Sequence, residues 1–309
     1  MKRHLLGLEG YDGGEIIEIL DRAVSFRSVL ERDVKKLPTL RGVTVANLFF
    51  EPSTRTRMSF ELAEKRLSAD VINFSASTSS LKKGESLRDT VENILAMKVD
   101  MVVIRHGAPG APHYIAKKTP AVVINAGDGA HEHPTQALLD LYTIRETFPD
   151  FEGLEVTLVG DARHSRVIRS NVHGLKALGA KVTLCAPATL LPPGVGEWGI
   201  RVTSDIEEGL RGAQVVNIMR LQLERQSAGY IPSLREYAAE WGVNRRRVAL
   251  MAPEHLVMHP GPMNRGVEIT QEVADSEDAV ILDQVTNGVA VRMSVLYKLT
   301  PRRVESAAT

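Results

Sequence analysis

The chain has 309 residues, 43% of them apolar, which is enough to bury the cores of two domains of ordinary size. Lysine plus arginine equals aspartate plus glutamate at 38 each, which argues against a nucleic-acid binder with a broad basic surface. Cys185 is the only cysteine, so no intramolecular disulfide is possible, and its apolar setting predicts a buried thiol. The apolar runs are too short for a membrane span or a signal peptide, so we expect a cytoplasmic protein without membrane or nucleic-acid partners.

The first half of the chain alternates short apolar runs with helical patterns. A long amphipathic helix is predicted from Gly14 to about Lys36, where Pro38 would end it. Buried strands are predicted at 43–50, 71–74, 101–104 and 122–126. Helices are predicted between and after them, at 58–67, 86–97, 111–117 and 135–147. This alternation predicts a parallel sheet with helices on its faces.

A second α/β series follows a turn at 149–153. Its strands are predicted at 156–159, 181–185, 215–219 and 256–258, its helices at 165–178 and 288–299, and a connection at 187–199. We predict an α/β fold of two domains, each a parallel sheet flanked by helices, bridged by the N- and C-terminal helices. The predicted boundaries are 1–148, 149–285, and a C-terminal helix at 286–309 that packs back on the first domain.

The stretch from Ser53 to Arg57 joins the first predicted strand to a helix and carries three hydroxyls and two arginines. A helix start offers unpaired backbone N–H groups and a partial positive charge. Together with the hydroxyl and guanidinium donors, these groups predict an anion site, with phosphate as the anion. The alternative is an ordinary Ser/Thr N-cap beside two solvated arginines.

Other polar residues follow the later strands of the first half, at the sheet edge where ligands bind. Arg105 is placed to bridge a phosphate and a polarised carbonyl oxygen. His131 and His133 flank a glutamate, but two positions apart they need not share a face, which disfavours a metal site. His133 is instead a candidate hydrogen-bond donor to a carbonyl, with Gln136 one helical turn along, or else a structural histidine.

The second half carries its own basic groups. Arg166 opens a predicted helix, and Arg220 and Gln222 follow a strand end. Arginine binds carboxylates in bidentate fashion, so these residues predict a second substrate with carboxylates; surface salt bridges are the alternative. The loop at 259–266 is a candidate to present backbone carbonyls to an amine. The turn at 160–166 lacks the glycine spacing of a Rossmann site, so no dinucleotide cofactor is predicted.

Taken together, these segments resemble the motifs of the aspartate and ornithine carbamoyltransferase family. The carbamoyl-phosphate motif of that family is matched by Phe50-Glu51-Pro52-Ser53-Thr54-Arg55-Thr56-Arg57, with Ser59-Phe60-Glu61 behind it. Its second motif is matched by His133-Pro134-Thr135-Gln136. Two further segments resemble the aspartate branch of the family, namely Arg220-x-Gln222-x-x-Arg225 and His259-Pro260-Gly261-Pro262. The likeness covers nearly the whole chain, in the family's motif order.

The resemblance implies transfer of the carbamoyl group of carbamoyl phosphate to L-aspartate, giving N-carbamoyl-L-aspartate and phosphate, the committed step of pyrimidine synthesis. It implies no cofactor and no metal. It also implies a homotrimer with active sites shared between subunits. Allosteric regulation by nucleotides, and further assembly with a regulatory chain or a dihydroorotase, are left open.

The family pattern also assigns roles to the matching positions. It places phosphate on Ser53, Thr54, Arg55, Thr56 and Arg105. In that pattern, Thr56, Arg105 and His133 bind the carbamoyl oxygen, and together with Arg55 they form the catalytic set. The carbamoyl amide is bound by Gln136 and the carbonyl of Pro262. Aspartate is bound, in the same pattern, by Lys83, Arg166, Arg220, Gln222 and Gly261. Ser80 and Lys83 would come from a neighbouring subunit; their loop is one residue shorter than the family's common form, so Lys82 is the alternative to Lys83.

Two other functions compete with this interpretation. A carbamoyltransferase for ornithine would favour an acidic or neutral pocket for the cationic side chain, whereas the matching loop offers Arg220 and Gln222. The His259 loop also lacks the cysteine common in the ornithine branch. An inactive scaffold would have no need of the arginines, yet Arg55, Arg105 and Arg166 are present together with Arg220.

Overall fold

The computed structural model describes residues 2–75, 87–223 and 229–300. The first elements in chain order are α1 (Gly13–Val29), β1 (Thr44–Phe49), α2 (Thr54–Arg66), β2 (Asp70–Ser75), α3 (Leu87–Ala96), β3 (Met101–His106), α4 (Ala111–Ala116), β4 (Val122–Asp128) and α5 (Pro134–Thr147). They are followed by β5 (Glu155–Gly160), α6 (Arg166–Ala177), β6 (Lys181–Cys185), β7 (Arg201–Thr203), α7 (Ile206–Leu210), β8 (Val215–Met219), α8 (Leu234–Trp241), α9 (Arg245–Val248), β9 (Leu256–Met258), α10 (Gln271–Ala274) and α11 (Ile281–Leu299).

The first sheet is parallel and has the strand order β2-β1-β3-β4. Its strands form because their apolar runs are covered on both faces, as the buried side chains of β1 and β4 show. From β1 the chain goes to β2 on one side and later to β3 on the other, so the strand order reverses between β1 and β3. Ligands of open α/β sheets bind at such a reversal, beyond the carboxyl ends of the strands.

The second sheet is also parallel, with the order β7-β6-β5-β8-β9. Here the order reverses between β5 and β8. A hydrophobic cluster on this sheet contains Val159, Val216, Ile218 and Val257, all of them buried. The predicted α/β fold, with two parallel sheets flanked by helices, is confirmed.

The chain divides into two compact units. The first consists of Met1–Gly7, Ile19–Gly129 and Val289–Thr309, and the second of Leu8–Glu18 and Ala130–Gly288. The division falls inside α1 and inside α11, so each of these helices contributes residues to both units. The domain boundaries drawn from the sequence stay a prediction.

The predicted end of the first helix and the predicted start of the last helix are wrong. Helix α1 ends at Val29, because the N–H groups of Leu30, Glu31 and Arg32 bond three residues back and close the helix in a tight turn. Helix α11 begins at Ile281 rather than near 288. Its first turns expose Leu282 and bury Gln284, which is the reverse of the expected polarity and hides the helical pattern.

A buried carboxyl group in the first unit has an altered acidity. Glu64 on α2 is fully buried, and this burial raises its pKa to about 8, although a hydrogen bond from Asn47 opposes the shift. Asn47 Nδ2 lies 2.7 Å from Glu64 Oε2. Within the described ranges, the other oxygen of each side chain is buried and has no hydrogen-bond partner. A proton on the Glu64 carboxyl group therefore adds a hydrogen-bond donor next to two unsatisfied acceptors, Glu64 Oε1 and Asn47 Oδ1.

We expect Glu64→Gln to stabilise the protein relative to wild type, increasingly so as the pH rises. The folded pKa of about 8 exceeds the ordinary 4.5, so the stability that Glu64 contributes is complete below 4.5 and lost as the pH rises towards 8. The advantage should grow by up to about 1.4 kcal/mol per pH unit. Urea unfolding of both proteins between about pH 6 and pH 8 measures it.

Glu61→Gln is the matched control for this experiment. Glu61 lies on the same helix, is bonded to Lys65 and has a lowered pKa, so it stays ionised throughout that pH range. The charge of Glu61 contributes less than burial to the raised pKa of Glu64, so its replacement should change the slope of stability against pH far less than Glu64→Gln does. A Glu64→Gln effect with no dependence on pH would contradict protonation of the buried carboxyl.

None of the helices in residues 2–75, 87–223 and 229–300 combines the length and the apolar character needed to span a bilayer.

Candidate active site

The first group of predicted site residues lies where β1 and β3 end. Phe49 and Arg105 are register partners, and the N–H of Phe50 donates to the carbonyl of Arg105 at 2.9 Å. The stretch after β1 is therefore held beside Arg105, at the reversal of strand order in the first sheet.

Helix α2 begins at Thr54, earlier than predicted, so the hydroxyls and arginines occupy its first turn. Ser53 is the N-cap residue with an extended backbone, but its side chain makes no capping hydrogen bond. Thr54 and Arg55 are exposed, and Thr56 is buried. The ordinary N-cap bond, which was the alternative interpretation, is thus missing at Ser53, while the positive end of the helix carries hydroxyls and a guanidinium.

Arg105 is fixed by groups on both sides. Its Nη1 donates to the carbonyl oxygen of Ala126 on β4 at 3.4 Å, and its Nε lies 3.6 Å from Glu51 Oε2. The side chain is only 13% exposed. The first unit therefore brings Ser53–Thr56 and Arg105 to one sheet edge, with cations and hydroxyls suited to an oxyanion.

In the second unit, the start of α5 is held by buried polar bonds. His133 is the N-cap residue of α5, is buried, and donates its backbone N–H to Ser170 Oγ at 2.9 Å. Glu132 accepts from the N–H of Leu8 and from Ser170 Oγ, both at 2.7 Å, and from the N–H of Glu9 at 3.3 Å. These bonds hold the carboxylate of Glu132 in place between the two histidines.

Gln136 leads to a residue that the sequence interpretation missed. Its Nε2 donates to Asp140 Oδ1 at 2.9 Å, and Asp140 is fully buried. Burial raises the pKa of Asp140 to about 6, and four amide side chains oppose the shift. The other three amides are separated from Asp140 by 31, 77 and 144 residues along the chain, so no local pattern indicates the cluster. The one indication of the cluster is an aspartate in a helix that is buried on all sides, because a buried carboxylate needs hydrogen-bond donors.

The predicted aspartate-binding residues of the second unit follow β5 and β8. Gly160 and Met219 are register partners at the ends of these strands, where the strand order reverses. Arg166 is the first residue of α6 and is buried, and Arg220 directly follows β8. The N–H of Gln222 donates to Asp161 Oδ2 at 3.2 Å, which ties the segment after β8 to the segment after β5.

The loop after β9 is fixed by its first residue. His259 is buried, its backbone N–H donates to Gln284 Oε1 at 3.0 Å, and its ring Nδ1 accepts from the N–H of Gly261 at 2.8 Å. Because Nδ1 accepts, the ring proton is on Nε2, which lies 3.2 Å from Glu268 Oε1. Gly261 has a left-handed φ of 63°, which glycine adopts without strain, and Pro262 is exposed beyond it.

Other predicted residues lie outside the described ranges, namely Ser80, Lys82, Lys83 and Arg225. The binding and catalytic roles of all site residues stay predictions. The predicted buried thiol is confirmed: Cys185 is fully buried, its Sγ lies 3.4 Å from the carbonyl oxygen of Asp205, and burial raises its pKa to about 12.

Two family models match the chain and together cover nearly all of it. Residues 3–146 match the aspartate/ornithine carbamoyltransferase carbamoyl-P binding domain, and residues 152–299 match the Asp/Orn binding domain of the same family.

Individual relatives agree with these models. The aspartate carbamoyltransferase catalytic subunit of Desulforudis audaxviator is 57% identical over 98% of this chain and 99% of its own. The crystal structure of aspartate transcarbamoylase from Trypanosoma cruzi with carbamoyl phosphate has a TM-score of 0.86 at 30% identity, over 95% of this chain and 94% of the other. Ornithine carbamoyltransferase from Thermus thermophilus has a TM-score of 0.85 at 28% identity, over 97% and 100%. The chain therefore belongs to the aspartate/ornithine carbamoyltransferase family.

Proposed function

We propose that the chain transfers the carbamoyl group of carbamoyl phosphate to the amine of L-aspartate, giving N-carbamoyl-L-aspartate and phosphate. The observation that carries this proposal is the presence of two arginines at the strand-order reversal of each sheet: Arg55 and Arg105 in the first unit, Arg166 and Arg220 in the second. The name of the Desulforudis relative and the ligand of the Trypanosoma structure support the same donor and acceptor.

The first group binds the phosphate of the donor. The hydroxyls of Ser53, Thr54 and Thr56, and the backbone N–H groups of the first turn of α2, are the hydrogen-bond donors. Arg55 and Arg105 supply the positive charge. Charge-assisted hydrogen bonds of this kind are about twice as strong as neutral ones, so the cations hold the leaving group most firmly.

The chemical step is the attack of the aspartate amine on the carbamoyl carbon. Negative charge develops on the carbamoyl oxygen, and Thr56, Arg105 and His133 donate to it. One well-placed donor is worth roughly 3–4 kcal/mol in favourable cases. The departing phosphate takes the proton of the amine, so no protein base is required. Holding two anionic substrates together against their repulsion accounts for much of the remaining rate.

The second group binds aspartate and the carbamoyl amide. Arg166 and Arg220 pair with the two carboxylates, because the guanidinium fork matches a carboxylate in bidentate geometry. Gln222 and Gly261 assist them, as does Lys83, or Lys82 in its place. Gln136 and the carbonyl of Pro262 accept hydrogen bonds from the carbamoyl amide.

The wider setting is also part of the proposal. We place the reaction in de novo pyrimidine biosynthesis in the cytoplasm, in a homotrimer whose subunits contribute Ser80 and Lys83 to a neighbour's site. The domains are those drawn from the sequence, at 1–148 and 149–285, with the remaining residues, 286–309, as a separate C-terminal segment. No metal or other cofactor takes part.

Purified protein tests the reaction directly. With carbamoyl phosphate present, we expect carbamoylation of L-aspartate and little or none of ornithine or other amino acids. The similar fold of the ornithine enzyme makes this comparison necessary, because the TM-scores of 0.85 and 0.86 do not separate the two branches. Carbamoylation of ornithine but not aspartate would reject the proposal, and no product from any amino acid would favour a scaffold.

A further inference from the structure

Asp140 is the centre of a cage of four side-chain amides in the second unit. Its Oδ1 accepts from Gln136 Nε2 at 2.9 Å and from Gln284 Nε2 at 2.8 Å. Its Oδ2 accepts from Asn171 Nδ2 at 2.9 Å and from Asn217 Nδ2 at 3.1 Å. A carboxylate has about four acceptor positions, so this one is saturated, and it is fully buried.

The cage dictates which way each amide faces. An ionised carboxylate only accepts hydrogen bonds, so each amide must turn its NH2 group towards Asp140 and its oxygen away. For Gln136, this leaves Oε1 as the atom available to a ligand. A protein without this carboxylate could present the NH2 group of Gln136 instead, since the two ends of an amide have nearly the same shape.

The cage is also connected to the loop after β9. Gln284 donates a hydrogen bond from Nε2 to Asp140, and its Oε1 accepts a hydrogen bond from the backbone N–H of His259 at 3.0 Å. Nδ1 of the His259 ring in turn accepts a hydrogen bond from the backbone N–H of Gly261, the residue before Pro262. The two acceptors assigned to the carbamoyl amide, Gln136 Oε1 and the Pro262 carbonyl, thus depend on the same carboxylate.

We propose that Asp140 is a positioning residue that keeps Gln136 Oε1 turned towards the carbamoyl NH2 group as an acceptor and, through Gln284 and His259, holds the loop that carries the Pro262 carbonyl. It thereby selects a carbamoyl donor over an acyl phosphate that lacks N–H groups. This inference rests on the proposed function. Acetyl phosphate is the natural probe, because it keeps the phosphate and the carbonyl oxygen but carries a methyl group in place of the NH2 group.

Asp140→Asn tests the proposal with little change of shape. The new side chain has one NH2 group that faces donors, so at least one surrounding amide has to turn or lose its bond. We expect the Kd of carbamoyl phosphate to rise about tenfold, and the inhibition constant of acetyl phosphate to change by less than about threefold. A merely structural role would weaken both ligands in parallel, and that result, or no change in either, overturns the proposal.

Gln284→Met is the second variant, in case Asp140→Asn does not fold. It removes one donor to Asp140 and the acceptor of the His259 N–H, but leaves the carboxylate and its bond from Gln136 in place, so we expect a smaller loss in the same direction, about threefold for carbamoyl phosphate. Loss of affinity for both probes, or for neither, overturns this link.

Asn171→Ala is the matched control inside the cage. It removes one donor to Asp140 but touches neither acceptor, so the Tm should fall while the ratio of the two constants stays constant. A ratio that shifts as much as in Asp140→Asn would show that cage integrity, rather than amide orientation, sets the preference. A wild-type protein that makes no N-carbamoyl-L-aspartate rejects the proposed function itself, which parallel weakening in an active enzyme does not.

Discussion

Arg55→Ala is expected to lower kcat by roughly a hundredfold to a thousandfold, the scale of losing one donor to developing charge. Arg55 is exposed on the first turn of α2, so its removal leaves the core of the first unit intact. The loss should fall on kcat because, in the proposed role, this cation stabilises the departing phosphate more strongly as its charge grows. Steady-state kinetics measures the effect, and circular dichroism verifies the fold.

Lys65→Ala is the control for Arg55→Ala. Lys65 is an exposed cation on the last turn of the same helix, bonded to Glu61, so its loss should leave kcat within about twofold of wild type. Near-normal turnover of the Arg55 variant would show that its phosphate role is misassigned. Equal losses in both variants would point to the helix rather than to the site.

Arg220→Ala is expected to raise the KM for aspartate by about tenfold to a hundredfold, with a smaller effect on carbamoyl phosphate. In the proposed site, the variant loses charge-assisted hydrogen bonds to a carboxylate of aspartate, each worth roughly 1.5–3 kcal/mol. Arg220→Lys should recover part of the affinity, because it restores the charge without the fork. Kinetics at varied aspartate and saturating carbamoyl phosphate measures both variants.

Arg211→Ala is the comparison for Arg220→Ala. Arg211 is an exposed arginine of the same unit, immediately after α7, and has no proposed part in the site. We expect an unchanged KM for aspartate in this variant. An unchanged aspartate dependence of Arg220→Ala would remove Arg220 from the site.

The strands were predictable because the interior of a parallel sheet requires continuous apolar runs. The stretch Thr44–Phe49 is buried on both faces and fell within the predicted strand, and Lys181–Cys185 matched its prediction. Some short elements were not predicted, because Arg201–Thr203 and Gln271–Ala274 are too short to show a period, whereas the similarly short strand Leu256–Met258 was predicted from its apolar run.

The positions of the candidate site residues followed from the same logic. Residues at or just after the ends of strands β1, β3, β5 and β8 lie at the carboxyl edges of parallel sheets, where the sequence alone predicted anion-binding groups. The cage around Asp140 was out of reach, because a buried carboxylate finds its donors in three dimensions. Nothing in the sequence around Asn217 and Gln284 indicates that both side chains donate to the same carboxylate.

The burial of Cys185 makes the chain convenient for spectroscopic labelling. Maleimides react with exposed thiolates, and this thiol is enclosed, with a pKa raised to about 12. Since the sequence holds no second cysteine, a cysteine introduced at an exposed position would take up a fluorophore or spin label at one defined place. Pairs of such labels, one in each unit, would report distances between the units in solution while the native thiol stays in place.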